Sequence, residues 1–185
     1  MTEDSSWKFA EWPELLPVVQ KWSAEAWAWD LDAVTAELSS LGWTPRKKAR
    51  AMLLFTTDIS TGTEAILRLD NHDATAVRSL AITATSVVTP HESNTRKAKI
   101  FLAESCAAVT DSLQTLFGTP TESDESMSAW TISQGHIVVA LTNRSVRITF
   151  FSPTGMKQAD AAAKVKAETA GVVKKKKAPA PWRVV

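Results

Sequence analysis

Residues 35–45 read TAELSSLGWTP, and nearly the same pattern returns at residues 110–120 as TDSLQTLFGTP. Both stretches fit T-x-x-L-x-x-L-x-x-T-P, so their leucines recur at a spacing that keeps them on one face of a helix. A glycine near the last leucine and a proline soon after it are typical of a helix end. The repeated pattern predicts two long amphipathic helices that end in similar ways.

The segments behind these helices are short, rich in apolar and β-branched residues, and repeat with the period of a strand. We predict strands in MLLFTTDI, EAILRLDN and VRSLAITATSVV after the first helix, and in SAWTISQ, HIVVALTN and SVRITFFSP after the second. The basic stretch PRKKAR and the acidic stretch TESDESM are interpreted as connections. Short turns between the strands favour antiparallel pairing. The prediction is an α+β fold in which two helix-βββ units form one antiparallel sheet with helices packed on one face.

The two ends of the chain differ from this central region. The chain has 8 tryptophans, most of them near the start, and burial of such large apolar rings is strongly favourable. We therefore expect residues 1–29 to pack on the core, with a short helix in PELLPVVQKW. Residues 30–168 are predicted to form a single domain that ends in a helix in GMKQADAAAKVKAETAG. Residues 169–185, with KKKK followed by APAP, are predicted to be a flexible tail.

The composition of the chain bears on where in the cell the protein is found. The sequence contains no apolar run of the length that a membrane span needs, and its start is acidic and polar where a secretory signal would be basic and then apolar. Its single cysteine, Cys106, agrees with a reducing compartment. We expect a cytoplasmic protein without membrane contact.

Residues that carry chemistry are scattered. His72, His91 and His136 fall at three separate predicted turns, and the DNHD stretch at residues 70–73 is typical of a tight turn. Cys106 lies in the apolar stripe of the second long helix, which favours a core role over a nucleophilic one. No phosphate-binding, metal-binding or nucleophile motif is present. We therefore expect a non-enzymatic protein without cofactor or metal.

The order of the predicted helices and strands resembles that of a known fold. A helix, three strands, a second helix, further strands and a final helix over residues 30–168 resemble the type III secretion chaperone-like fold. That resemblance implies a small α+β module that dimerises and binds extended segments of partner proteins. The seams LGWTP, LFGTP, AWTISQGHIVVAL and SVRITFFSP also resemble a group of uncharacterised actinobacterial proteins, which implies no particular activity.

The leading hypothesis is a chaperone-like protein-binding module that holds a partner protein such as a secreted effector, with homodimerisation left open. One alternative is a toxin-neutralising immunity protein that presents Glu122, Asp124 and Glu125 to a basic active site. A second alternative is association with nucleic acid through PRKKAR or the basic tail, which the near-neutral net charge of +1 disfavours. The residues assigned to packing or partner docking are Trp22, Trp27, Trp29, Trp43, Trp182, Val184 and Val185.

Overall fold

The computed structural model describes residues 7–24, 28–49, 51–159 and 161. Its helices are α1 (Trp12–Ser23), α2 (Leu31–Ser40), a short 3-10 turn (Glu92–Asn94) and α3 (Arg96–Phe117), and residues 153–159 are also helical. Its strands are β1 (Thr44–Ala49), β2 (Met52–Thr56), β3 (Ala65–Leu69), β4 (Val77–Thr83), β5 (Glu122–Ser123), β6 (Met127–Ile132), β7 (Gly135–Leu141) and β8 (Val146–Phe151).

All eight strands form one antiparallel sheet with the order β1-β2-β3-β4-β8-β7-β6-β5. Each half of the sheet is a meander that follows a long helix, α2 before β1 to β4 and α3 before β5 to β8. The halves meet where β4 pairs with β8, with Ile82 opposite Ile148. The predicted α+β fold with one antiparallel sheet is confirmed, and the repeated sequence pattern marks the end of the helix in each half.

The predicted number of strands was too low, because both edge strands were interpreted as connections. PRKKAR lies largely in β1, and TESDESM contains the short strand β5. Side chains are exposed along the whole of both strands, so neither has the apolar alternation by which a half-buried strand is recognised. Proline and lysine in β1, and the shortness of β5, protect the two edges from pairing with other chains.

The ends of the long helices follow the sequence signals. The Asp30 carboxylate accepts hydrogen bonds from the second and third backbone N–H groups of α2, and the Thr95 hydroxyl accepts one from Ala98 N–H at the start of α3. Gly42 and Gly118 follow the two helices with φ of 80° and 76°, where a side chain is disfavoured. Both predicted stop glycines are therefore confirmed.

The core lies between the helices and one face of the sheet. Side chains on a strand alternate between faces, so pairing partners share a face across the whole sheet. The helix-facing side chains of the sheet are almost fully buried and include Leu53, Phe55, Leu67, Leu80, Ile82, Trp130, Ile137, Val139, Ile148 and Phe150. The helices add Leu15, Val18, Val19, Trp22, Val34, Leu38, Leu102, Val109 and Leu113 to the same cluster.

Equivalent leucines of the repeated pattern have equivalent roles. Leu38 in α2 and Leu113 in α3 occupy the same pattern position, and both are fully buried. The next pattern leucines differ, since Leu41 packs at the fringe of the core whereas Leu116 is 45% exposed. The prediction that Leu116 belongs to the buried stripe of α3 was therefore wrong, because in this last turn Phe117 packs against the core instead.

The N-terminal region joins this core through α1. The predicted short helix in PELLPVVQKW is confirmed, with Pro13 in its first turn, where the missing N–H costs nothing. The Glu14 carboxylate accepts hydrogen bonds from the backbone N–H and the hydroxyl of Ser60, at 2.7 and 3.0 Å. These bonds to Ser60 lower the pKa of Glu14. The division into residues 1–29, 30–168 and 169–185 stays a prediction, and the last range lies outside the described residues.

Candidate functional site

Two of the tryptophans assigned to packing or docking are core residues. Trp22 is fully buried, and its ring centroid lies 6.0 Å from that of Phe150. Trp43 is 2% exposed, and its Nε1–H donates to the Asp58 carboxylate at 3.0 Å. Both side chains therefore pack, and a partner could touch neither of them without opening the core.

Trp29 links the segment before α2 to the far half of the sheet. It is half-buried, and its Nε1–H donates to the carbonyl of Gln134 at 2.7 Å, in the turn between β6 and β7. This bond spans the two halves of the fold and gives Trp29 a structural role. The other residues assigned to docking, Trp27, Trp182, Val184 and Val185, lie outside the described part of the chain.

The scattered polar residues remain apart in the fold. Within the described residues, no group of three or more His, Cys, Asp or Glu side chains is placed to hold a metal ion. Asp70 accepts from His72 N–H and from the Gln158 amide, and these two bonds lower the pKa of its carboxyl. Cys106 is half-buried, and desolvation raises the pKa of its thiol, so the unreactive protonated form is favoured.

The acidic stretch forms a tight turn beside the β5 edge. Glu122, Asp124 and Glu125 are all exposed. The Asp124 carboxylate accepts hydrogen bonds from the backbone N–H and hydroxyl of Ser126 and from Met127 N–H, and these bonds lower its pKa. One of the three carboxylates is thus engaged in closing the turn, while Glu122 lies on the outermost strand.

The second face of the sheet, which we call the open face, carries the side chains that alternate away from the helices. Strand register places one row of these side chains in line from edge to edge. The row is Lys47, Leu54, Ile66, Ala81, Thr149, Val138, Ala129 and Glu122. Its ends, Lys47 and Glu122, are charged and exposed, and its middle is mostly apolar, with Ala81, Val138 and Ala129 each less than 9% exposed. All three helices α1 to α3 contribute their buried residues to the opposite face.

A groove of about 510 Å³ opens on this face, and we call it the Arg147 groove. Strands β2, β3, β4 and β8 form its floor, and the loop before β3 forms one wall. Leu54 and Ile66 are half-buried in it, and Val87 at its rim is 48% exposed. The residues that line it are Arg46, Leu54, Thr61, Gly62, Thr63, Glu64, Ile66, Thr83, Val87 and Arg147.

Among the described residues, the Arg147 groove contains two arginines and one glutamate, and only one of the arginines is paired. Glu64 is bound to Arg46, with Oε1 and Nη1 2.7 Å apart. Arg147 lies between Thr83 of β4 and Ala140 of β7, and its Nε is buried without a hydrogen-bond partner within the described structure. The groove therefore combines apolar walls with one guanidinium group that no described side chain neutralises.

A smaller groove of about 320 Å³ lies on the helical side, between the start of α3 and the ends of β6 and β7. Leu102 and Leu141 form its apolar part, and Asn94, Lys99 and Asn143 are among its polar residues. It lacks a buried charged atom without a partner, so it offers a less specific anchor than the Arg147 groove.

Sequence reasoning found the strands of the Arg147 groove but not the groove itself. The alternation in SVRITFFSP already places Arg147 and Thr149 on the face opposite Val146, Ile148 and Phe150. The alternation does not reveal the strand order. That order places β8 next to β4, so Arg147 lies beside residues of the first half of the sheet. The signal was an arginine within an otherwise apolar central strand.

The described residues form an α+β protein in which helices α1 to α3 cover one face of a single antiparallel sheet and the other face carries the Arg147 groove. The chain belongs to a family of unknown function (DUF6301), whose model matches residues 13–152. That range takes in α1 apart from Trp12 and all eight strands of the sheet. No curated protein matches the chain, and no solved structure matches it. No helix among the described residues is both long enough and apolar enough to cross a membrane.

Proposed function

We propose that this protein is a non-enzymatic, chaperone-like binding module and that the Arg147 groove on its open face is where a partner protein docks. The observation that supports this proposal most is the groove itself, since it joins apolar walls from Leu54, Ile66 and Val87 to a charged centre. Protein-binding sites commonly combine apolar contact area with a few polar groups that fix orientation.

The position of the groove also supports docking of an extended segment. It crosses several neighbouring strands from both halves of the sheet, and its volume of about 510 Å³ is in the range that a few side chains fill. The partner in this proposal is a cytoplasmic protein, for instance a secreted effector held before export. A second copy of this chain is an alternative occupant, which sedimentation equilibrium at micromolar concentration would reveal as a dimer.

The proposal is tested by photo-crosslinking from three equally exposed apolar positions. Val87 at the groove is 48% exposed, while Ile100 and Leu116 on α3 are each 45% exposed. A photoreactive amino acid is placed at each position in turn, in the native host. We expect a discrete crosslinked protein from position 87 and none from positions 100 and 116. Equal crosslinking from all three positions, or crosslinking from α3 alone, would contradict docking at the groove.

The immunity-protein alternative rests on the exposed acidic edge at Glu122, Asp124 and Glu125. Charge reversal of Glu122 and Glu125 separates the two proposals. Asp124 is left unchanged, because its carboxylate closes its own turn. Loss of partner binding in the doubly reversed variant would favour an immunity protein. Unchanged binding would favour the Arg147 groove. The nucleic-acid alternative has a weaker basis, since the basic stretch already has a structural role at the β1 edge.

A further inference from the structure

We propose that the Arg147 groove recognises an Asp or Glu side chain in an extended segment of the partner protein, next to an apolar side chain of that segment. This inference rests on the proposed function and adds the chemistry of the partner. Its starting point is Arg147, whose guanidinium lies on a central strand of the open face rather than at the rim.

The electrostatic reason is a buried donor without an acceptor. Nε of Arg147 is inaccessible to solvent and makes no hydrogen bond with the described residues. A buried polar group without a partner is costly, and more so when it is charged. The fork of N–H groups on a guanidinium matches a carboxylate in shape and charge, and can bind it through two parallel hydrogen bonds.

The carboxylate of Glu64, which also lines the groove, is not paired with Arg147. Glu64 is held by Arg46 at 2.7 Å, which leaves two guanidinium groups and one carboxylate in the groove. The hydroxyls of Thr61 and Thr63 donate to the carbonyl of Thr83, so they are engaged within the groove wall. One further carboxylate from a partner would balance the charge.

The surroundings favour a protein segment over a nucleic acid. Leu54, Ile66 and Val87 provide apolar contact next to Arg147, which suits an aliphatic or aromatic side chain beside the acid. A phosphate backbone would instead need a track of cations, and the carboxylate of Glu64 lies in its path. Lys47, at the exposed end of this face, would favour approach of an acidic segment over a distance.

The test begins with a display library of random twelve-residue peptides, selected against the intact protein. We expect the selected peptides to share an Asp or Glu next to a large apolar residue. A synthetic selected peptide with an amidated C-terminus then isolates the side-chain carboxylate from the terminal one. Replacement of its acid by the matching amide should weaken binding about tenfold or more, which is the usual size of a charge-assisted pair.

Protein variants locate the contact. Arg147→Gln should weaken the acidic peptide about tenfold and should leave the amide peptide unaffected, because the two changes remove the same pair. Arg147→Lys keeps the charge and the stem but loses the fork, so an intermediate affinity is expected. Arg68→Gln is the matched control, since it removes the same charge from the same face outside the groove. Thermal unfolding of each variant confirms that it is folded.

Several results would overturn the inference. These are selected peptides without a shared acid, a failure to select any peptide, equal binding by Arg147→Gln, and a duplex oligonucleotide that displaces the peptide with steep salt dependence. Self-association abolished by Arg147→Gln would assign the groove to a second copy instead. If crosslinking from position 87 succeeds while Arg147→Gln binds normally, the proposed function stands and the carboxylate inference fails.

Discussion

Single residues hold neighbouring strands of this sheet in register, and Gly135 at the start of β7 is the clearest case. Its φ is 145°, and a Cβ at this position would lie 2.0 Å from the carbonyl oxygen of Phe151 on β8. That neighbour is backbone, which cannot move without disturbing the pairing of β7 and β8. The residue therefore has to be glycine for two reasons, conformation and space.

Gly135→Ala is accordingly expected to cost more stability than Gly118→Ala. Gly118 also has a positive φ, of 76°, but nothing lies within 4 Å of a Cβ placed there. Backbone strain alone is worth on the order of 1–3 kcal/mol, so that range is the expected loss for Gly118→Ala. Urea unfolding of both variants measures the difference. An equal loss in the two would contradict the close approach of β7 and β8.

Asp124 makes stability depend on pH. Its hydrogen bonds from Ser126 and Met127 lower its pKa below the ordinary 3.8. A lowered native pKa gives stability that is present above the ordinary value and is lost as the pH falls through the lowered one. We expect Asp124→Asn to be less stable than wild type at neutral pH and to lose less on acidification. Glu125→Gln, in the same exposed stretch, serves as the control. Parallel pH profiles for wild type and Asp124→Asn would contradict this role.

Elements were predictable from the sequence where burial imposed a pattern. The amphipathic helices and the half-buried strands show periodic apolar residues, and the polar residues Asp30 and Thr95 cap the two long helices. The edge strands β1 and β5 were missed because exposure along both of them removes that pattern. Arg147 was visible as an outward-facing residue, but its neighbours in the groove come from β2, β3 and β4. Which strands become neighbours depends on pairing between distant parts of the sequence, and local periodicity does not reveal that pairing.

Two leucines of helix α3 are expected to contribute very differently to stability, because one is buried and the other is exposed. Leu113 is fully buried and Leu116, less than one turn later, is 45% exposed. Leu113→Ala should destabilise the protein by about 2–5 kcal/mol, because it removes buried methyl groups and leaves a cavity. Leu116→Ala should change stability by no more than about 0.5 kcal/mol. Chemical unfolding measures both, and a comparable loss from Leu116→Ala would mean that α3 is rotated differently on the sheet.

At the scale of the molecule, the described sheet consists of two units, each of one helix and four strands, joined through β4 and β8. Helices α1 to α3 gather on one face of the sheet and bury the core there, whereas the open face has a mostly buried middle and carries the Arg147 groove. The family match over residues 13–152 spans this complete arrangement. The proposed binding function belongs to a surface that forms only when the two units join, since the Arg147 groove is lined by residues of both.

Solvent accessibility of methyl groups in solution shows whether the second face of the sheet is free to bind a partner. Leu53 and Leu67 face the helices, whereas Leu54 and Ile66 alternate with them on the same two strands and line the groove. A soluble paramagnetic agent added to the methyl-labelled full-length protein should broaden the methyl signals of Leu54, Ile66 and Val87 and leave those of Leu53 and Leu67 sharp. Equal protection of both sets would show that the second face is covered, and would contradict the proposal that a partner docks there.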